Sequence, residues 1–356
     1  MSAQFTVCGK QHPRASDPTR PVHGFTLIEL MVAMLLGLIV IGGVISVFLA
    51  GQQTYRTNEA LGDIENGSRT AFELLARDIR NAGLTGCDNT NGRVANTLNN
   101  TSLWYANWNY ALYGYDDASQ DPAINNTTTN PGVPVAGTSS VHVISTAGTD
   151  VTVSFTPGSS SSSGGNAANF QINAPTTQLA PGDLIMVCDF DHATITQITN
   201  YSTNHSSTVV HNDGTGTPGN CSKGLGYPTS CSSSNGNHYD FPSNSRVAVL
   251  TAAVWYIGTN SLNGRSLYRV TIGHGSNGTP STPQEMVRNV TGMQILYLQP
   301  GAIKFDKAAN MTNWAAVSAA QIKLNLLSTN SRASSTNSQP LTRYFTATTT
   351  VRNRVQ

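Results

Sequence analysis

The chain has 356 residues and carries 20 Lys+Arg against 19 Asp+Glu. That balance gives no basic field for nucleic acid. Charged residues make up 11% of it, well below the ~25% of an average globular protein, so its polar surface must come from Asn, Thr, Ser and Gly, as is common in extracytoplasmic β-rich proteins. The length suffices for one large or two small domains with a sizeable buried core.

Residues 1–24 are basic and contain proline, with Lys10, Arg14 and Arg20 against Asp17. They lack an apolar core, so they are not a conventional secretory signal peptide. Their charge predicts a cytoplasmic N-terminus with everything after Ala50 translocated. Then comes GFTLIEL, Gly24 to Leu30, running into an apolar segment in which Ser46 is the only polar side chain between Leu30 and Ala50. About 20 apolar residues suffice to span a bilayer as a helix. Glu29 at the edge of this run is the anomaly. A charge at the centre of a membrane helix costs roughly 2.5–3.5 kcal/mol, so a carboxylate here calls for a partner that neutralises it on assembly. It also suits a helix N-terminus, where negative charge is favoured.

The helical pattern continues. Leu61, Ile64, Ala71, Leu75, Ile79 and Ala82 recur at three- and four-residue steps on one face. Arg69–Glu73 and Glu73–Arg77 are i,i+4 pairs on the other side, and Gly83 is a stop signal. One helix from Phe25 to Ala82 is predicted, weakened at Gly37, Gly42 and Gly43 by about 1 kcal/mol each relative to Ala. Beyond residue 90 strands are predicted at 141–146, 150–156, 183–190, 193–199, 246–257, 265–272, 285–298, 319–327 and 343–352. They are rich in β-branched and aromatic residues, with Gly, Asn and Pro between them. The stretches 125–140, 157–168 and 200–237 are low in complexity, and the serine run 159–163 reads as a flexible loop.

No catalytic constellation emerges. GHGSNG, Gly273 to Gly278, has GxGxxG spacing but is followed by TPSTPQ, too rich in proline to open a phosphate-binding helix. Ser276 has His274, not Gly, two residues before it, where a nucleophile elbow needs glycine. Asp116, Asp117 and Asp121, and Asp189 with Asp191, lack EF-hand spacing and read as solvated turn acids. His142, His192, His205, His211, His238 and His274 are scattered, no CxxC occurs, and no metal site is expected. Trp104, Tyr105, Trp108, Tyr110, Tyr113 and Tyr115 form a dense aromatic patch. It reads as a satellite core or subunit interface rather than a stacking platform for sugar or nucleic acid.

GFTLIEL and the run behind it resemble the type III signal of the type IV pilin and pseudopilin superfamily. SRTAFELLARDIRNAGLTGC (Ser68 to Cys87), GDLIMVCDFDHATITQIT (Gly182 to Thr199), VTGMQILYLQP (Val290 to Pro300) and RYFTATTTVRNR (Arg343 to Arg354) resemble PilW-type minor pilins. The resemblance implies cleavage after Gly24 by a prepilin peptidase, N-methylation of Phe25, and pairing of Glu29 with the N-terminal amine of a neighbouring subunit. It implies an α+β pilin fold: leader 1–24, membrane half-helix 25–50, periplasmic half-helix 51–82, and an enlarged antiparallel β-rich head over 83–356. With Cys8 lost in the leader, Cys87, Cys188, Cys221 and Cys231 remain, enough for two disulfides in an oxidising periplasm with three possible pairings. The short spacing favours Cys221–Cys231, which leaves Cys87–Cys188.

The expected function is structural. It is that of a minor pilin which primes or caps a type IV pilus, with twitching motility and adhesion downstream. The chain would be a single-pass inner-membrane protein that later joins the fibre or its tip. Its partners would be the prepilin peptidase, other minor pilins, the major pilin and a candidate tip adhesin, with no cofactor and no nucleic acid. The alternatives are a J-class type II secretion pseudopilin and, in another class, a membrane-anchored periplasmic enzyme or sugar-binding protein.

Overall fold

The structure is a computed structural model that describes residues 24–87, 93–156, 167–202, 207–214, 216–334 and 339–352. Most of the expected leader with Cys8, the serine run 159–163, His205 and the last residues of the C-terminal motif lie outside the described residues. The chain forms two units, Met1–Tyr55 and Arg56–Gln356.

The helix α1 spans Leu27–Arg80 and passes through both units. Within the first, it is long and apolar enough to cross a membrane, and none of its most apolar window is buried among the described residues. Within the second, Ala60, Ile64, Ala71, Leu75, Ala76 and Ile79 are buried, which is the stripe that three- and four-residue spacing dictates. Leu61, expected on that face, is only half-buried, and its neighbour Ala60 is fully buried instead. Arg69 pairs with Glu73 at 2.9 Å, but Glu73 and Arg77 do not pair. The helix ends at Arg80, and Gly83 follows at φ 72°, a left-handed turn that glycine adopts without strain. Its N–H donates to the Ile144 carbonyl at 2.8 Å.

The strands are β1 Val94–Asn96, β2 Leu112–Tyr115, β3 Ser140–Phe155, β4 Asn169–Ile172, β5 Leu184–Cys188, β6 Ala193–Gln197, β7 Thr208–Val210, β8 Arg246–Thr259, β9 Arg265–Ile272, β10 Gln284–Arg288, β11 Val290–Leu298, β12 Ala319–Leu327 and β13 Thr342–Thr350. One long apolar helix followed by a β-rich head makes the fold α+β, the architecture expected from the sequence. The larger sheet has a spine of antiparallel β3 and β8. Each is long enough to hold two partners in succession on its outer side. Along β3 these are β2 and then β4; along β8 they are β5 and then β9. The smaller sheet is β11-β12-β13, antiparallel throughout.

Two expected boundaries moved. The segments 141–146 and 150–156 form the single strand β3, because the Gly-containing break is absorbed as a register shift against β8 between Gly148 and Thr152. The expected strand 285–298 divides at Asn289, which sits at φ 61°, a conformation Asn tolerates better than most residues. β10 then pairs in the large sheet and β11 in the small one. The short strands β1, β2, β4 and β7 were not expected from the sequence, since three or four residues in polar or Tyr-rich surroundings carry no periodic signal.

The main core joins Ile64, Leu75 and Ile79 of α1 to Trp255 of β8, Ile295 and Tyr297 of β11, and Ile322 of β12. The helix therefore covers inward residues of both sheets. Gly114 on β2 is required here, because a Cβ would overlap the ring and hydroxyl of Tyr297. β5 is buried along its whole length. Ile185 and Val187 enter one apolar cluster, while Leu184, Met186 and Cys188 enter another on the opposite face, as the period of two requires.

His211 is 1% exposed, and neither ring nitrogen has a hydrogen-bond partner. Burial lowers its pKa from 6.5 to about 4. Between those values the unfolded chain binds a proton that the folded chain refuses, so stability is full above the upper value and is lost as pH falls towards the lower. We expect this histidine alone to remove on the order of 3 kcal/mol between neutral pH and the lower value. Denaturant midpoints of the full chain and of His211→Phe, compared at both pH values, check this. The variant should lose markedly less stability on acidification.

Candidate functional site

The N-terminal segment is built from its first turn upward. Gly24, Phe25 and Thr26 precede the helix, and Phe25 is 81% exposed. The Thr26 hydroxyl accepts the Glu29 N–H at 3.3 Å, and the Thr26 carbonyl accepts the Leu30 N–H at 3.2 Å. Thr26 is thus an N-cap, and Glu29, three residues on, stands where a capping box places its acid. The reciprocal half of that box is not made. Among the described residues, the Glu29 carboxylate has neither a hydrogen bond nor an ion pair. A carboxylate with unused acceptor capacity therefore lies at the mouth of an uncovered apolar helix.

At the other end, α1 is fastened to the head by one acidic side chain. Asp78 accepts from the Trp255 indole N–H at 2.8 Å and pairs with Arg269 at 3.0 Å. The Arg269 guanidinium lies 5.2 Å from the centre of the Trp255 ring, a distance at which the cation is attracted by the ring face. Asp78 and Trp255 carried no signal in the sequence, because the residues that meet are far apart in the chain. Beyond the helix, Thr146 donates through both its N–H and its hydroxyl to the Leu84 carbonyl. Arg246 reaches the Gly86 carbonyl at 2.8 Å. Cys87 is joined to Cys188 on β5 with Cα atoms 6.1 Å apart, and Cys221 to Cys231 with Cα atoms 5.2 Å apart.

The C-terminal part of the chain matches the family model described as Type IV Pilus-assembly protein W over residues 254–355, and residues 19–45 match the prokaryotic N-terminal methylation motif. Together these two matches support a PilW-like minor pilin of the type IV pilus. No curated protein and no solved structure matches it. The match to PilW favours the pilus over the type II secretion alternative. A pilin of this kind is processed by a prepilin peptidase, works with other pilus components and is anchored through its apolar N-terminal helix.

The PilW-type match takes in β9 to β13 and the end of β8, which share the main core with α1, β2 and β3. The acids expected to be solvated turn residues divide, and Asp121 is the one that departs furthest from that expectation. Asp121 is fully buried and bonds to Ser140 and His142. Asp116 accepts the Ala308 and Ala309 N–H groups, and Asp117 caps a short turn through Ser119. Asp189 accepts from Asp191, His192 and the Tyr239 hydroxyl, while Asp191 holds Arg93. These acids fix loops, a role for which sequence spacing gives no signal. Burial and the Asp189 carboxylate push the Tyr239 phenol well above its ordinary range. Gly273 to Gly278 form part of the β9–β10 connection, in which the His274 ring meets Asp183 at 2.7 Å. Among the described residues no cluster of His, Cys, Asp and Glu could hold a metal ion.

The Cys87–Cys188 bond closes a separation of 101 residues. In the chain-entropy model a loop of that size stabilises by about 4.7 kcal/mol, with measured values commonly 2–4. We expect Cys87→Ser with Cys188→Ser to lower the denaturant midpoint far more than the Cys221/Cys231 double serine variant, whose separation is only 10. Unfolding of both variants beside the oxidised parent measures the difference.

Proposed function

We propose that this pilin is a non-catalytic subunit that helps to prime or cap the pilus, and that residues 25–50 hold it in the inner membrane with the head in the periplasm until it assembles. One observation carries the reading. The exposed apolar part of α1 begins at a carboxylate with no partner among the described residues, and the same unbroken helix continues into a half whose buried face belongs to the head. The proposed division is a leader to residue 24, a membrane half-helix, a periplasmic half-helix to residue 82 and a β-rich head beyond. In lipid, Glu29 is poorly compensated. Assembly would move the apolar face into a bundle of like helices and offer Glu29 the amine of a neighbour. Such contacts are heterologous and do not close, so related subunits can stack into a fibre. The role is structural in keeping with the matched family.

Processing is expected between Gly24 and Phe25, followed by methylation of the Phe25 amine. The exposed Phe25 and the exposed, non-helical residues before the helix leave this bond open to a peptidase. Peptide mass spectrometry of protein from cells that contain a prepilin peptidase should find N-methylated Phe25 as the first residue. Chains that keep residues upstream of Gly24 in such cells would contradict the assignment.

Glu29→Ala is expected to leave membrane insertion and the head's thermal unfolding unchanged, since its carboxylate makes no hydrogen bond or ion pair among the described residues. Incorporation into pili should fall sharply, because the neighbour's buried amine loses its counter-charge. Pull-down with other minor pilins, a pilus count and a motility assay measure this in a strain that requires the protein. Normal piliation with the variant would reduce Glu29 to a helix-terminal residue.

A further inference from the structure

The head contains a cavity of about 430 Å³ whose lining comes wholly from residues outside the segment that matches the PilW family. Its size lies in the range of small-molecule sites, ~300–1,000 Å³. The walls include Trp104, Tyr110, Tyr113 and Tyr115, and His142 is the most deeply buried lining residue at 3% exposed. The rings bracket the imidazole: Trp104 and Tyr115 lie 5.4 and 5.5 Å from it, centre to centre. Tyr110 and Tyr115 each lie 5.2 Å from Tyr113.

The His142 ring is fixed from behind. Its Nε2 lies 2.8 Å from both oxygens of Asp121, so Nε2 carries the proton and donates it. Asp121 is fully buried and also accepts from the Ser140 hydroxyl and the Ala123 N–H. Nδ1 of His142 makes no hydrogen bond among the described residues, and neither do the hydroxyls of Tyr110, Tyr113 and Tyr115. The site therefore combines aromatic faces with polar atoms that want partners.

That combination selects among ligands. No Lys or Arg lines the cavity, and the nearest charge behind it is the Asp121 carboxylate, so a phosphate or a nucleic acid backbone would go uncompensated. A wholly apolar molecule would strip water from Nδ1 and the phenols without replacing it. A pyranose offers a C–H face to the aromatic wall and hydroxyls at its rim. A hydroxyl both donates and accepts, so it can answer Nδ1 in either protonation state. We infer that this cavity binds a neutral pyranose sugar, stacked on the aromatic wall with one hydroxyl on His142 Nδ1.

The test uses the full chain in phospholipid nanodiscs, because sugar-headed detergents would compete. Biotinylated maltotriose, chitotriose and lactose are the probes, beside oligo-dT, with titration by surface binding and by free sugar as competitor. We expect saturable binding of at least one neutral sugar, unaffected by raising the salt, and the same site to be blocked by free and by immobilised glycan. Tyr110 is 45% exposed, so Tyr110→Ala should keep the parent melting temperature. It should weaken binding by about tenfold, the effect of losing one stacking ring worth ~1.4 kcal/mol. Trp104→Ala should do the same or more. Tyr344→Ala, on β13 and 75% exposed, should change nothing. The inference is overturned if none of the three sugars saturates the protein, if both wall variants bind like the parent, or if only oligo-dT binds and salt abolishes it.

Discussion

The burial of the second half of α1 across two sheets is the constraint on which the head is organised. The helix contributes Ala60, Ile64, Ala71, Leu75, Ala76 and Ile79, and a fully buried Leu or Ile contributes roughly 1.5–3 kcal/mol. Such burial is non-directional and would tolerate sliding or rotation of the helix. Asp78 removes that freedom. Its two contacts, to Trp255 on β8 and Arg269 on β9, are charge-assisted and have fixed geometry. Trp255 is 1% exposed and belongs to the same core. The packing thus provides the stabilisation and the carboxylate provides the register.

Because the sheet spine must serve this helix and also carry a large head, β3 and β8 run far beyond the helix contact. Their N- and C-terminal halves hold different neighbours, and the head acquires several apolar clusters instead of one. The two disulfides work at different scales. Cys87–Cys188 ties the chain leaving the helix to β5, beside the Arg246–Gly86 contact. Cys221–Cys231 tightens a loop whose other supports are Asn220 and Gln197. Each of these two side chains is fully buried, and each bonds to several backbone groups. A chain poor in charge fixes its long loops through amides and hydroxyls.

The family match and the aromatic cavity fall on different parts of the head. The strands matched by the PilW model share the main core with α1, β2 and β3, and the cavity is lined from the segment before them. The cavity wall is part strand and part loop, with Tyr113 and Tyr115 on β2, His142 on β3 and Trp104 in the connection before β2. Loops positioned by a rigid scaffold are where recognition commonly resides. The burial of Asp121 under His142 shows the cavity's base to be part of the packed structure and not a surface accident.

The sequence by itself determined the helix, the membrane-length run, the anomalous Glu29, the Gly83 stop and most long strands. Each of these is a local pattern: a period of 3.6 or 2, a composition, or a φ that only glycine adopts freely. Tertiary structure alone decided the rest. The break at Gly148 proved to be a bulge because β8 pairs across it, and the strand at 285–298 divided because Asn289 turns it between sheets. Asp121 looked like a surface turn acid until Ser140 and His142 closed over it, and Asp78 looked like one polar helix residue among many. The sequence spacing of an acid says nothing about which distant donor will desolvate with it. That choice is made only when strands far apart in the chain are brought side by side.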